Sequence, residues 1–298
     1  MTKVGRTGET GESPSDPGQP IRSLRRSAGD VAGEWVRPGG SLIAMSDASR
    51  ETELAARALA WTRRPQELIC DRIESWEHGT VYRMSRYPTY FDFNTVRVRD
   101  DPRMRVEALI ALADQALEGL EHRRIDFDSA VVAEPLRGEF RARGLKSTRL
   151  VWMRFEGPNP ERAEIPVNEV SYDTVNDLRI AWHQEDFPGR DDSELHTHRR
   201  EVRLALGTRT LTVSDNARPV AFASLDLGDD ETEIGALYVL PEYRGQGRGT
   251  ALTQTAIAAA GDVEHLWICA DDEDRPKQLY ARLGFRPVLT TTEYLRLP

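Results

Sequence analysis

The chain predicts an α/β fold: two domains in tandem behind a disordered N-terminal tail. Strand-like alternation and helical three- and four-residue spacing take turns from residue 50 to the end. The pattern breaks once, at Glu156-Gly-Pro-Asn-Pro-Glu161, where two prolines and a glycine forbid regular backbone hydrogen bonding. Both halves also close on the same motif, Phe140-x-x-x-Gly144-Leu145 and Tyr280-x-x-x-Gly284-Phe285, each followed by a strand, which points to a repeat. A length of 298 residues favours two domains as well. The expected boundaries are a tail over 1–45, a first domain over 46–159 and a second over 160–298.

The tail is rich in Gly, Pro, Ser and Thr and has almost no apolar periodicity before Val31, so it is expected to lack a core. From Arg50 the chain turns helical, with Leu54, Ala55, Ala58 and Leu59 on one side. Gly79–Met84 and Asn94–Val98 read as strands, and Val106–Leu120 as an amphipathic helix carrying Leu109, Leu112, Ala113, Ala116, Leu117 and Leu120 on its apolar side. Asp128–Ala133 reads as a short strand, Leu136–Arg143 as a helix stopped by Gly144, and Arg149–Phe155 as a strand. In the second half, Tyr172–Trp182 and Glu194–Leu206 are helical. Arg209–Ser214, Pro219–Leu225 and Glu233–Val239 are strands joined by turns at Asn216-Ala217 and Gly228-Asp-Asp230. Thr250–Ala260 is a helix closed by Gly261, followed by strand His265–Ala270, helix Arg275–Leu283 and strand Val288–Leu297.

Charge narrows the partners. The net charge is −9, and nearly all of the excess lies beyond Pro160, where 25 acidic residues face 15 basic ones. Phosphate neutralisation needs clustered Lys and Arg, so nucleic acid is not an expected partner. The acidic half favours cationic partners mildly, or is simply a solubilising surface. No run of some 18–20 uncharged apolar residues is present, and no apolar leader opens the chain, so no membrane is expected. Two cysteines, Cys70 and Cys269, cannot build a disulfide framework or a thiolate zinc site, which together with the other features reads as cytoplasmic. His196 and His198 diverge on a helix at i, i+2 spacing, and Asp271–Asp274 stand where helix caps favour carboxylates, so no metal site is expected either.

The sharpest feature is Val239-Leu-Pro-Glu-Tyr-Arg-Gly-Gln-Gly-Arg-Gly-Thr250, between a strand and an alanine-rich helix. Glycines at 245, 247 and 249 let successive N–H groups turn into one concavity. The following helix adds its positive end, and Arg244 and Arg248 add charge, so the segment is built for a pyrophosphate. A dinucleotide fold would need different glycine spacing and a ribose-binding acid downstream, and a kinase-type loop would need Gly-Lys-Ser/Thr; neither is present. The run Leu237-Tyr-Val-x-Pro-x-Tyr-Arg-Gly-x-Gly-x-Gly249 resembles motif A of the GCN5-related N-acetyltransferase (GNAT) superfamily, with its Arg/Gln-x-x-Gly-x-Gly/Ala element on Arg244, Gly247 and Gly249. Pro276-Lys-Gln-Leu-Tyr-Ala-Arg-Leu-Gly-Phe-Arg-Pro287 is similar to motif B of that superfamily. The resemblance covers about residues 165–298.

That resemblance implies two GNAT-like mixed-sheet domains in tandem, the second splayed between its fourth and fifth strands with acetyl-CoA, the acyl-donor substrate, in the gap. It implies an N-acetyltransferase acting on a primary amine of a small molecule or, second, of a protein. A homodimer of the chain is compatible with it. The coenzyme contacts it implies are Leu237, Tyr238, Val239, Arg244, Gly245, Gln246, Gly247, Arg248, Gly249 and Thr250, with a Tyr238 or Val239 N–H polarising the thioester carbonyl. Tyr280 matches the tyrosine that serves the departing thiolate; otherwise it packs under Phe285. Glu233 falls at the position of a general base, or is a solvated strand residue. The first half lacks glycine after Val98, carries Asp100 and Asp101 in that place, and has Phe140 where the second half has Tyr280. It reads as a degenerate copy. A regulatory module that binds acyl-CoA without turnover is the alternative reading.

Overall fold

The computed structural model describes residues 47–190 and 192–297, so the tail expected over 1–45 lies outside the described residues. The first half runs α1 (Asp47–Ile69), β1 (Arg72–Trp76), β2 (Gly79–Arg83), β3 (Thr95–Val98), α2 (Val106–Ala116), β4 (Arg123–Phe127), α3 (Ala130–Ala133), α4 (Arg137–Ala142) and β5 (Lys146–Phe155). The second runs β6 (Asn168–Val170), α5 (Asn176–Asp186), α6 (Ser193–Ala205), β7 (Arg209–Asp215), β8 (Arg218–Leu227), β9 (Glu231–Val239), α7 (Arg248–Ala260), β10 (His265–Asp271), α8 (Pro276–Arg282) and β11 (Phe285–Arg296).

The fold is α/β with a mixed sheet, and the two sheets that the repeat predicts are fused into one of eleven strands, ordered β1-β2-β3-β4-β11-β5-β10-β9-β8-β7-β6. The last strand of each half crosses over. β5 lies between β11 and β10, and β11 lies between β4 and β5, all antiparallel. The β5–β11 ladder spans Phe285↔Phe155 to Leu295↔Lys146 and is interrupted by a bulge between Pro287 and Leu289, where proline has no N–H to give. Each half keeps one parallel junction, β3–β4 and β9–β10.

Packing follows the same exchange. Tyr294 of β11 is fully buried in the core of the first half, stacked on Phe140 at 4.1 Å, and its hydroxyl donates to the Ala133 carbonyl at 2.8 Å. The core of the second half takes Val151 and Met153 from β5. Trp61 of α1 packs with Trp152 and Trp267 over the middle of the sheet, and Tyr90, Phe91 and Phe93 pack against Leu195 and Val202 of α6.

Several elements differ from expectation. Asp128–Ala133, read as a strand, holds a helical turn at Ala130–Ala133; the strand is Arg123–Phe127, one step earlier. Arg-Arg-Ile-Asp-Phe looks like a solvated segment, but burial is tolerated because Arg124 is neutralised by Asp126 (2.8 Å), Asp92 (2.5 Å) and Glu293 (2.5 Å). The short strands β1 and β6 are largely exposed at the two sheet edges, and no apolar alternation marks them. The Asn216-Ala217 hairpin turn is present, with both residues at positive φ (+47° and +65°), as a two-residue turn requires.

Because β5 belongs to the ladder of the second half, a fragment of residues 160–298 exposes the free edges of β10 and β11 and removes two core side chains. It is expected to aggregate or to lack a cooperative thermal transition, whereas residues 46–298 melt cooperatively by circular dichroism; a cooperative melt of the fragment would contradict this packing.

Candidate functional site

The site begins with one extra residue in β9. The β8–β9 ladder steps from Ser224↔Gly235 to Phe222↔Tyr238, and Ala236 in the bulge is held at φ +43°, a conformation that costs a residue with a Cβ. The bulge bends β9 away from β10. Parallel pairing runs from His265↔Glu231 to Ile268↔Ile234 and stops, although β9 continues to Val239 and β10 to Asp271. The sheet therefore opens as a wedge. Ala236, Leu237, Tyr238 and Val239 line one wall, and Cys269, Ala270 and Asp271 the other, of a cleft of about 1220 Å³.

The glycine loop lines the same cleft. After a 3-10 turn at Pro241–Tyr243, Gly245 (φ +72°) and Gly247 (φ +81°) turn the chain into α7. The Ala251 N–H donates to the Gly247 carbonyl at 2.9 Å. The six amides before it, Gly245 to Thr250, have no protein acceptor among the described residues. Unpaired amides at the positive end of a 13-residue helix are an anion site in waiting. The arginines are already engaged. Arg244 donates to Glu185 (2.7 Å) and to the Val239 carbonyl (2.9 Å), and Arg248 donates to Gln246 (2.5 Å) and stacks over Tyr243 at 4.6 Å. Glu185 also accepts from the Tyr238 hydroxyl at 2.5 Å, so Tyr238, stacked on Trp182, anchors β9 to α5.

Tyr280 of α8 is 4% exposed, with its ring edge-on to Phe285 at 6.2 Å and its position on the cleft wall. Its hydroxyl has no protein partner among the described residues, and burial pushes its pKa up, so the phenol stays protonated. Packing and access to the cleft thus coexist in one side chain.

Glu233 lies before the bulge and is not among the cleft-lining residues. Its carboxylate accepts from the Trp61 indole N–H at 2.9 Å, under α1, and burial with Asp226 beside it pushes its pKa up to about 7. Sequence reasoning missed Glu293, on β11, which does line the cleft and whose pKa burial also raises to about 7 against the pull of Arg124. It also missed the contributions of the first half, Tyr90, Phe91, Asp92, Arg124, Lys146 and Thr148. Only the strand exchange brings these to the wedge.

The equivalent place in the first half is closed. β3 and β4 pair through Val98↔Phe127, and the Asp128 N–H continues to the Val98 carbonyl at 2.9 Å. Arg97 pairs with Asp128, and Asp101 accepts the Arg103 N–H at 2.9 Å, filling its own loop. Asp271 and Asp274 accept the N–H groups of Glu273 (2.8 Å) and Arg275 (2.7 Å) within their own turn, and no side chain among the described residues caps α8. His198 meets Thr89 at 2.7 Å, while His196 stands edge-on to His183.

The wedge thus joins an unpaired strand edge to a helix start whose amides have no protein acceptor among the described residues. Residues 175–285 match the model of the acetyltransferase (GNAT) family, and the chain carries a domain of that family, whose acyl donor is acetyl-CoA. It is similar to an uncharacterised N-acetyltransferase of Mycobacterium tuberculosis and to another of Mycobacterium bovis, each 35% identical over 80 residues, or 26% of this chain. The chain spans about half (51%) of the length of those relatives. Among solved structures it is similar in fold to a conserved protein of unknown function from Staphylococcus epidermidis, with a TM-score of 0.61, 17% identity, and coverage of 76% of this chain and 94% of that one. It is also similar in fold to a GCN5-related N-acetyltransferase from Kribbella flavida, with a TM-score of 0.52, 17% identity, and coverage of 82% and 95%. No helix among the described residues is long and apolar enough to cross a membrane.

The buried Glu233 makes stability depend on pH. Its folded pKa lies above that of an unfolded glutamate, so the folded state keeps a proton that the unfolded state releases; stability is full below about 4.5 and falls as pH rises toward 7. Glu233→Gln removes this loss while still accepting from Trp61. Its melting temperature relative to the parent chain is expected to rise between pH 5 and pH 8, and a constant difference would contradict the assignment.

Proposed function

We propose that the chain transfers an acetyl group from acetyl-CoA to a primary amine of a small molecule, at a single site in the wedge between β9 and β10. The supporting observation is the coincidence of six unpartnered amides, an unpaired strand edge and the Tyr280 hydroxyl in one cleft. The amides of Gly245 to Thr250 hold the diphosphate. The free edge of Leu237, Tyr238 and Val239 pairs with the pantetheine arm, and a Tyr238 or Val239 N–H holds the charge that develops on the thioester oxygen. Tyr280 gives its proton to the departing thiolate. Aligning amine and thioester in the wedge supplies up to about 7–11 kcal/mol of the barrier reduction.

The amine needs a base. Glu233 is one candidate, acting through water; Glu293 is the second, favoured by its place on the cleft wall and by a pKa near neutrality, where a general base works best. Residues 46–159 act as a degenerate copy that supplies β5 and the acceptor-side wall, and 160–298 hold the coenzyme. A protein amine is the second acceptor class. A regulatory module that binds acyl-CoA without turnover is the reading to be separated from this one.

The test combines calorimetry with coenzyme A release across an amine panel. Tight acetyl-CoA binding with no release for any amine would favour the regulatory module. Gly247→Glu forces a side chain onto φ +81° and sets a negative charge among the amides, so acetyl-CoA affinity is expected to fall by at least about 100-fold. Unchanged affinity would refute the loop assignment. Tyr280→Phe is expected to lower kcat by about 100-fold or more while acetyl-CoA affinity stays within a few-fold, as loss of a general acid requires. Equal kcat would leave Tyr280 as a packing residue.

A further inference from the structure

Arg179 of α5 is 5% exposed, lines the cleft and has no carboxylate partner among the described residues. Its guanidinium is held between the rings of Tyr172 (3.9 Å) and Phe222 (4.5 Å). Among the described residues its Nη2 reaches only the hydroxyls of Thr210 (3.3 Å) and Ser224 (3.5 Å), and its buried Nε has no acceptor. Two further arginines of the cleft, Arg199 and Arg203 of α6, bear on it; burial first, and then their charges, lower its pKa to about 10, which leaves it cationic. Arg203 is matched by Asp226 at 2.9 Å, but Arg199, over the ring of Tyr90, has no carboxylate partner among the described residues. The Tyr90 hydroxyl is also buried without a partner.

A buried charge is ordinarily paired, because taking it out of water without a partner is strongly unfavourable. Here two guanidiniums and a phenol stay unmatched on the wall of a cleft, where a ligand can match them. The opposite sign is present as well: Asp92 and Glu293 line the same cleft around Arg124. We infer that Arg179 and Arg199, with Tyr90, form an oxyanion subsite, and that the acceptor is an amine that also bears a carboxylate or a phosphate. Arginine suits this task because its planar fork meets two oxygens at once. The inference rests on the acetyl-transfer reading and specifies its acceptor.

Coenzyme A release by the full chain is measured with two matched pairs, lysine against cadaverine and phosphoethanolamine against ethanolamine, with acetyl-CoA calorimetry alongside. The anionic member of at least one pair is expected to be used with a kcat/KM higher by about 10- to 100-fold, the worth of a charged hydrogen bond, and the responding pair distinguishes carboxylate from phosphate. Arg179→Gln is expected to raise the KM of that member by the same factor and to leave its kcat and the acetyl-CoA affinity unchanged, with Arg179→Lys recovering part of the loss. Should Arg179→Gln fail to fold, Arg199→Gln, at a less buried position, reads the same effect. Equal use of both members in each pair, no turnover of any of the four with acetyl-CoA bound, or an Arg179→Gln loss of equal size for neutral and anionic amines overturns the subsite and leaves the coenzyme site standing. Failure of acetyl-CoA to bind overturns both.

Discussion

The ladder between β5 and β11 is the constraint on which the rest of the structure depends. These two strands come from different halves of the chain, pair over about ten residues, and each sends its other edge into the opposite half. The exchange makes the eleven strands one sheet and ties the two cores together through Tyr294 on one side and Val151 and Met153 on the other. It also builds the floor of the cleft, since Thr148 and Leu150 of β5 and Glu293 and Leu295 of β11 reach the wedge between β9 and β10. An isolated second half would have the glycine loop without that floor.

Against that shared frame the two parallel junctions behave oppositely, for local reasons. In the second half one surplus residue at Ala236 turns β9 aside and ends its pairing with β10 at Ile234. In the first half β3 and β4 stay paired, and the Arg97–Asp128 ion pair closes their end. The loops that follow differ in the same sense. Gly245 and Gly247 reach positive φ and leave their amides unspent, whereas Asp101 takes up the Arg103 N–H of its own loop. A strand bulge and two glycines separate the open wedge of the second half from the closed junction of the first.

Electrostatics in the cleft runs against the composition of its own half. The segment beyond Pro160 is strongly acidic, yet α5 and α6 bring Arg179, Arg199 and Arg203 to the cleft, and Arg124 of the first half meets Glu293 of the second there. Net charge describes the solvated surface, where long-range attraction is screened; a desolvated site is governed by the few charges that the fold brings within contact.

The sequence by itself determined most of the strand and helix order of the second half, the glycine loop at the start of α7, the hydroxyl of Tyr280 where the first half has Phe140, and the aspartates that stand in the first-half loop. Each of these is written in local chemistry: alternation, glycine spacing, a missing hydroxyl, an aspartate among amides. Only the tertiary structure decided that Glu233 turns under Trp61 while Glu293 faces the cleft, that Arg-Arg-Ile-Asp-Phe is a buried strand, and that Tyr90, Asp92 and Arg124 share a wall with Tyr238. Strand exchange places Glu293, the buried β4 and the first-half wall of the cleft, while Glu233 meets α1 across the sheet. Long-range pairing is decided by which edges and apolar faces meet across more than a hundred residues of chain, and no local pattern records that choice.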